Sequence, residues 1–154
     1  MTQVAKSGQR SRRMFCPEED AYVDLVRTTE VLSRPLVQLL KTEDLSSTQY
    51  NVLRILRGSP DGLTCGEISN RMITRDSDIT RLLDRLEKRN LVSRCRETKD
   101  RRVVLTRIAP GGLELLAALD EPVREAHRGL LGHLGPKRLG ALAGLLAACR
   151  KEPE

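Results

Sequence analysis

After a polar, basic stretch at residues 1–15, read as a disordered arm, the chain settles into helical periodicity. Cys16 takes a cap position, Pro17 suits the first turn of a helix, and Glu18, Glu19 and Asp20 complement its positive end. Tyr22, Leu25, Val26, Leu32, Leu36, Leu39 and Leu40 follow at near-helical spacing, and Pro35 is expected to kink this element. Ser46 with Gln49 reads as a capping box and Leu45 with Tyr50 as a hydrophobic staple. They open a second helix with Tyr50, Leu53, Ile55 and Leu56 on its apolar side, stopped by the turn Gly58-Ser59-Pro60-Asp61-Gly62.

Thr64 and Glu67 repeat the capping box and open a short third helix through Met72. A fourth helix is expected from Thr74–Asp76 to Arg89, with Ile79, Leu82, Leu83 and Leu86 as its apolar stripe. Asn90 should end it, because asparagine tolerates the left-handed conformation. The period then changes. Residues 91–97 and 101–108 read as strands joined at Thr98-Lys99-Asp100, a β-hairpin with a basic tip. Pro110-Gly111-Gly112 closes the hairpin, and a long Leu/Ala helix follows in which Pro122 should produce a kink or break. Leu134-Gly135-Pro136 separates a last helix, Lys137 to about Arg150, with Leu139, Leu142, Leu145 and Leu146 on one stripe. The expected fold is mainly α with a small β-wing: six helices, with the hairpin between the fourth and the fifth. A helix-turn-helix followed by a two-stranded wing is a DNA-binding arrangement.

Composition sharpens this. Phe15, Tyr22 and Tyr50 are the only aromatic residues, so the core must be aliphatic and base-stacking platforms for single strands are disfavoured. No apolar run is long enough to span a membrane, and the N-terminus lacks the apolar region of a signal peptide. A cytoplasmic location is expected. Residues 71–107 hold twelve Lys/Arg against six Asp/Glu, which alone accounts for the formal net charge of +6. Such an arginine-rich segment attracts polyanions. Cys16, Cys65, Cys95 and Cys149 match no zinc or CxxC spacing, and His127 and His133 lie near none of them in sequence, so no metal is expected. No cofactor is expected either. Without a glycine-rich phosphate loop, a nucleophile–base pair or a metal set, the chain does not read as an enzyme.

The segments LSSTQYNVLRIL (45–56), GLTCGEISNRM (62–72) and DITRLLDRLEKRNLVSRCRETKDRRVVLTRIAPGGLELL (78–116) resemble the multiple-antibiotic-resistance regulator (MarR) family of winged helix-turn-helix transcription regulators. The most specific match is the recognition helix running into the wing motif Asp100-Arg101-Arg102. The resemblance implies a homodimer built by the terminal helices. Residues 16–44 would be a dimerisation helix, 45–110 the DNA-binding region and 111–154 the remaining dimerisation helices. It also implies binding of a pseudo-palindromic double-stranded operator, and repression relieved by a small aromatic or phenolic effector. Asn90 departs from the glycine usual after the recognition helix, and Ala109 from the threonine that usually caps the fifth helix.

A helical wheel over 75–89 turns Ser77, Thr80, Arg81, Asp84, Arg85 and Lys88 away from the leucines. Thr80 and Arg81 are expected at base edges and Arg85 nearer phosphates, with Arg75 and Ser77 as lesser contacts. On the resemblance, Arg102 enters the minor groove with Asp100 orienting it, while Lys99 and Arg101 meet phosphate. The alternative for these arginines is pairing with nearby aspartates. Leu36, Leu40 and Tyr50 are candidate effector-pocket residues and read equally well as core. Cys16 lies where oxidation-sensing relatives carry their reactive cysteine, but three acids follow it. A redox-sensing regulator is therefore an alternative reading, and a protein-binding adaptor of the same fold is another. Cys65 and Cys95 are expected to be small structural residues, and a surface or helix-end role is favoured for His127 and His133 over pH sensing.

Overall fold

A computed structural model describes residues 16–151. The arm expected at 1–15 lies outside the described residues. The chain divides into two units after Leu32. The first contains the beginning of helix α1 (Pro17–Thr42), where Tyr22, Leu25, Val26 and Val31 are exposed. The second contains the end of α1, then α2 (Ser47–Arg57), α3 (Cys65–Arg71), α4 (Ile79–Lys88), β1 (Val92–Arg96), β2 (Val104–Ile108), α5 (Pro110–Leu131) and α6 (Gly135–Cys149). A 3-10 turn, Gly132–Leu134, links α5 to α6. Neither Pro35 nor Pro122 ends its helix. Leu36 and Leu40 beside the first, and Leu119 and Val123 around the second, are packed in the core, which holds each helix together across the missing donor. Among the described residues no helix is long and apolar enough to cross a membrane.

Both capping boxes form. Ser46 accepts the Gln49 N–H while the Gln49 side chain accepts the Ser46 N–H, and Thr64 and Glu67 exchange the same pair of bonds. The Thr64 hydrogen bonds hold the Glu67 carboxyl below the usual range. The aliphatic faces of α2, α3, α4 and α5 contribute Leu53, Leu56, Ile68, Leu83, Leu86 and Leu116 to one core, all essentially without solvent contact. A forked pair, Arg57 to Asp120 at 2.8–3.0 Å, ties α2 to α5 and holds the Asp120 carboxyl low.

The hairpin pairs β1 with β2 in antiparallel register, Val92 opposite Ile108 and Arg96 opposite Val104. Its strands are shorter than expected, and the connection spans residues 97–103. Leu63 adds a third, single-residue strand by exchanging backbone hydrogen bonds with Thr106 at 2.8 and 2.9 Å. This sews the turn before α3 to the wing. Ala109 caps α5 without any side-chain bond, as its methyl group dictates, and Pro110 sets the first turn.

That first turn lies against the end of the hairpin. A Cβ at Gly112 would sit 2.3 Å from the Leu91 carbonyl oxygen and 2.8 Å from Ile108 Cγ1. The obstacle is backbone, and the Leu91 carbonyl already accepts the Ala109 N–H at 3.0 Å. Gly112→Ala should therefore destabilise the fold by roughly 1–3 kcal/mol through overpacking. Gly129→Ala, where nothing lies within 4 Å, should not destabilise it. Urea denaturation of the two variants checks the contrast.

Candidate nucleic-acid interface

Helix α4 starts later than its sequence pattern indicates. Asp76 Oδ1 accepts the Asp78 N–H at 2.9 Å and Asp78 Oδ1 accepts the Arg81 N–H at 3.1 Å, so Asp78 is the N-cap and α4 begins at Ile79. Two aspartates satisfying the local backbone end the preceding segment instead of extending the helix backwards. Arg75 and Ser77 consequently lie in the exposed approach to α4, not on its outward face. Thr80, Arg81 and Arg85 do lie on the helix and are exposed, while Leu82, Leu83 and Leu86 are buried. The leucines fix the rotation of α4, and the rotation aims Thr80 and Arg81 outward from its first turn.

The helix ends in a Schellman motif. Asn90 has φ 56°, its N–H bonds the Glu87 carbonyl, and the Leu91 N–H bonds the Leu86 carbonyl. Arg89 then reaches the other end of the domain core, donating to the Glu43 and Asp44 carbonyls at 3.0 and 2.6 Å. Those carbonyls belong to the turn that ends α1, which also passes through a left-handed residue, Asp44.

Helix and wing are joined by Arg94 of β1. Its Nε donates to Glu87 Oε2 at 2.9 Å and its Nη2 to Asp84 Oδ1 at 2.5 Å, while its backbone N–H bonds Glu87 Oε1 at 3.2 Å. The Arg94 hydrogen bond holds the Glu87 carboxyl below its usual range. Asp84, placed outward by the helical wheel, is thus half-buried under Arg94. At the wing tip Lys99, Asp100, Arg101 and Arg102 are all exposed. Asp100 shapes the turn: its carboxylate accepts the Arg102 backbone N–H at 2.9 Å and its carbonyl accepts the Val103 N–H at 3.0 Å. Arg101 and Arg102 therefore belong to the turn, not to a strand. The carboxylate grips the Arg102 backbone and leaves the guanidinium free.

The arginine-rich segment separates into two sets. Arg71 bonds Ser59, Arg89 the α1 end, Arg94 the two carboxylates, and Arg107 the Asp61 carbonyl and Cys95 Sγ. Arg75, Arg85, Lys88, Arg96, Lys99, Arg101 and Arg102 have no ion pair or side-chain hydrogen bond among the described residues. Arg81 makes only a loose 3.6 Å pair with Asp78. The free cations flank Thr80 and the wing tip. A groove of about 570 Å³ beside α4 adds Lys41 and Lys88 to Arg85, next to the Ser46 cap of α2. Lys41 was not singled out from the sequence, since nothing local relates it to α4.

Cys95, expected to be structural, is exposed on β1, and Cys65 is half-buried in the first turn of α3. Cys16 and Cys149 are exposed, and the Cys16 thiol donates to Glu18 Oε2 at 3.5 Å.

A separate cleft of about 220 Å³ is lined by Leu36, Tyr50, Asn51, Arg54, Ile73, Thr74 and His127, among others. A neighbouring hollow of about 260 Å³ shares Tyr50, Arg54 and His127 and adds Arg57 and Arg124. Leu36 and Tyr50 thus line one cleft, with Arg54 stacked 5.9 Å from the Tyr50 ring centre. Leu40 is not on the cleft; it is fully buried, its side of α1 turned into the core. His127, for which a surface or helix-end role was favoured, joins the cleft wall. Among the described residues no cluster of three or more His, Cys, Asp or Glu could hold a metal.

The model of the MarR family matches residues 45–104. A solved MarR transcription factor from Planctomyces limnophilus is 38% identical, with 88% of this chain and 99% of that one covered and a TM-score of 0.67. The transcriptional repressor IacR of Pseudomonas putida is 30% identical over 72% of this chain and 66% of its own length. BpsR of Bordetella bronchiseptica, solved in connection with the regulation of its DNA binding by 6-hydroxynicotinic acid, has the same fold. It shows a TM-score of 0.79 at 20% identity, covering 90% and 99% of the two chains.

The Arg94 link has a pH signature. A carboxylate whose ionisation is favoured in the fold contributes stability above its unfolded pKa and loses it as pH falls through the lower folded value. Arg94→Met removes the partner of Glu87 and leaves Glu87 beside Asp84. Its loss of thermal stability relative to the parent should be greatest near neutral pH and should shrink below about pH 4.3, the ordinary glutamate value. Melting curves from pH 3 to pH 7 check this; a gap independent of pH would contradict it.

Proposed function

This chain belongs to the MarR family of winged helix-turn-helix, DNA-binding transcriptional regulators, and on that premise we propose that it is a cytoplasmic, homodimeric repressor released from its operator by a small acidic aromatic molecule. The observation that carries the DNA-reading part is the outward first turn of α4, Thr80 and Arg81, set between unpaired cations. In this reading Thr80 and Arg81 contact base edges, and Arg102 enters the minor groove. Arg75, Ser77, Arg85, Lys99 and Arg101 meet phosphate, joined by Lys41 and Lys88. Asp100 serves them by shaping the wing turn. No catalytic step is part of this function.

Dimerisation is supported by apolar surface that each unit leaves open. In the first unit Tyr22 is 69% exposed and Val26 and Val31 are more than half exposed. In the second, α6 is rich in leucine and alanine yet buries no residue, and Leu145 is 68% exposed. Patches of this kind mark interfaces, and a second copy of the chain is the proposed cover. The IacR relative is named a repressor, which supports that sign of regulation. The cleft supports an acidic aromatic effector: Leu36, Tyr50 and Ile73 offer an apolar slot, and Arg54 and His127 offer cationic or hydrogen-bonding edges. BpsR, regulated by a hydroxylated aromatic acid, agrees with that chemistry. Release is assigned to this cleft and not to Cys16, whose thiol meets the Glu18 carboxylate.

Sedimentation should find a dimer at micromolar concentration; a folded monomer there would contradict the assembly. On DNA, the two contact elements should fail differently, because base contacts specify and phosphate contacts position. Arg81→Ala should cost about 1–3 kcal/mol on the operator and relax discrimination at one base pair per half-site. Lys99→Ala should weaken operator and random DNA alike and reduce the salt slope by about one unit per subunit. Titrations on operator and random duplexes at several salt concentrations decide. If Arg81→Ala weakens all sequences equally, α4 grips phosphate and does not read bases.

A further inference from the structure

We propose that Asn51 is a positioning residue for the DNA-reading helix, holding the segment in front of α4 through a single hydrogen bond that an occupant of the neighbouring cleft can disturb. The second half of this proposal rests on the reading of that cleft as the effector site; the first half does not.

Asn51 sits half-buried on α2, and its Oδ1 accepts the Ile73 backbone N–H at 2.9 Å. Ile73 lies between the end of α3 and the cap of α4. From Ile73 to Ser77 this is the only hydrogen bond to another element among the described residues; the remaining order is local, from Asp76 to the Asp78 N–H. Apolar packing does not hold the segment either, because the Ile73 side chain is 88% exposed. The segment from Ile73 to Ser77 thus runs between buried Met72 and the buried leucines of α4, and across that span one carboxamide ties it to another element. Thr80 and Arg81 occupy the first turn of α4, where a small shift of the cap is felt most. An isoleucine this exposed, with its amide tethered to a side chain, is a poor structural anchor but a good handle.

Asn51 also lines the cleft, as do Ile73 and Thr74. An occupant can compete for the Asn51 amide group or bury the Ile73 side chain in a new place. Either event acts on the segment that ends in the Asp78 cap, and no longer route through the core is needed. A ligand shifts an equilibrium only as far as it binds the two states differently, and this bond is one that differs between them.

The test compares Asn51→Leu, which keeps the approximate volume and removes the acceptor, with Asn51→Asp, which keeps the acceptor. Full-length variants are first compared with the parent for helical content and dimer mass. On operator DNA without any ligand, Asn51→Leu should bind about five- to tenfold more weakly, the effect of one lost hydrogen bond, while Asn51→Asp stays close to the parent. Amide exchange at Ile73, followed by NMR, should quicken in Asn51→Leu and not in Asn51→Asp. Parental affinity in Asn51→Leu, or an equal loss in both variants, overturns the positioning role. With 6-hydroxynicotinic acid as the probe, fold-release of DNA should be smaller for Asn51→Leu than for the parent. Equal release overturns the link to the cleft. A parent that neither binds nor responds to hydroxylated aromatic acids overturns the effector reading instead, and leaves the ligand-free comparison standing.

Discussion

A ten-residue helix cannot sustain itself in water, and α4, the helix proposed to read DNA, is ten residues long. Its existence depends on burying Leu82, Leu83 and Leu86 in the core, where α4 packs against α3 and β1. Each fully buried leucine is worth about 1.5–3 kcal/mol, well above what helix propensity supplies at this length. The same burial sets orientation. With three leucines turned inward, Thr80 and Arg81 have one direction left, and the reading face needs no further device to point it out of the molecule. Stability and recognition here are two consequences of one stripe.

The wing must share that orientation if both elements are to meet one duplex. Arg94 provides the coupling, since β1 cannot move against α4 without breaking its bonds to Asp84 and Glu87. All three side chains keep partial contact with solvent, so the network's contribution to stability is modest. Its effect is geometric: it fixes the distance between the first turn of α4 and the tip at Lys99–Arg102. The Schellman turn at Asn90 does the rest by reversing the chain directly into β1. Asparagine serves there because a left-handed residue is required, and its side chain tolerates that conformation almost as well as glycine.

What could be read from the sequence was what is local or periodic. Ser46–Gln49 and Thr64–Glu67 announce helix starts because the bonds they make span three residues. The leucine stripe announces the buried face of α4. The start of that helix is not legible in the sequence, because Arg75, Asp76 and Ser77 are polar on every side, and polarity alone does not separate a helix turn from a capping loop. The strand after the tip is shorter than its pattern for a related reason: Arg101 and Arg102 continue a plausible strand, and only the Asp100 bonds reveal a turn. The cleft was visible least. Leu36, Asn51, Ile73 and His127 belong to different elements, and periodicity on α1 assigns Leu36 and Leu40 to one side without telling the rim from the core. Arginine content located the basic segment but not which arginines are spent on the fold; that division needed the positions of Glu43, Asp44, Asp84 and Asp61.

The position of the cleft carries a further implication for control. Its rim includes Ile73 and Thr74, and the segment they begin ends at the Asp78 cap of α4, so the proposed effector site and the reading helix share a stretch of backbone. That stretch is weakly held, which makes it inexpensive to move and suits it to regulation more than the leucine core would. A packed core resists graded deformation, whereas a loop tied by one hydrogen bond has a nearby alternative state. On this arrangement the coupling between effector and operator is bounded by what the loop can transmit, a few contacts and one hydrogen bond for each subunit. Linkage then requires the converse: operator DNA, by holding the loop in place, must weaken the effector by the same factor by which the effector weakens DNA. The proposed dimer would carry two such loops against one operator, so a modest coupling in each subunit would act twice on a single binding event.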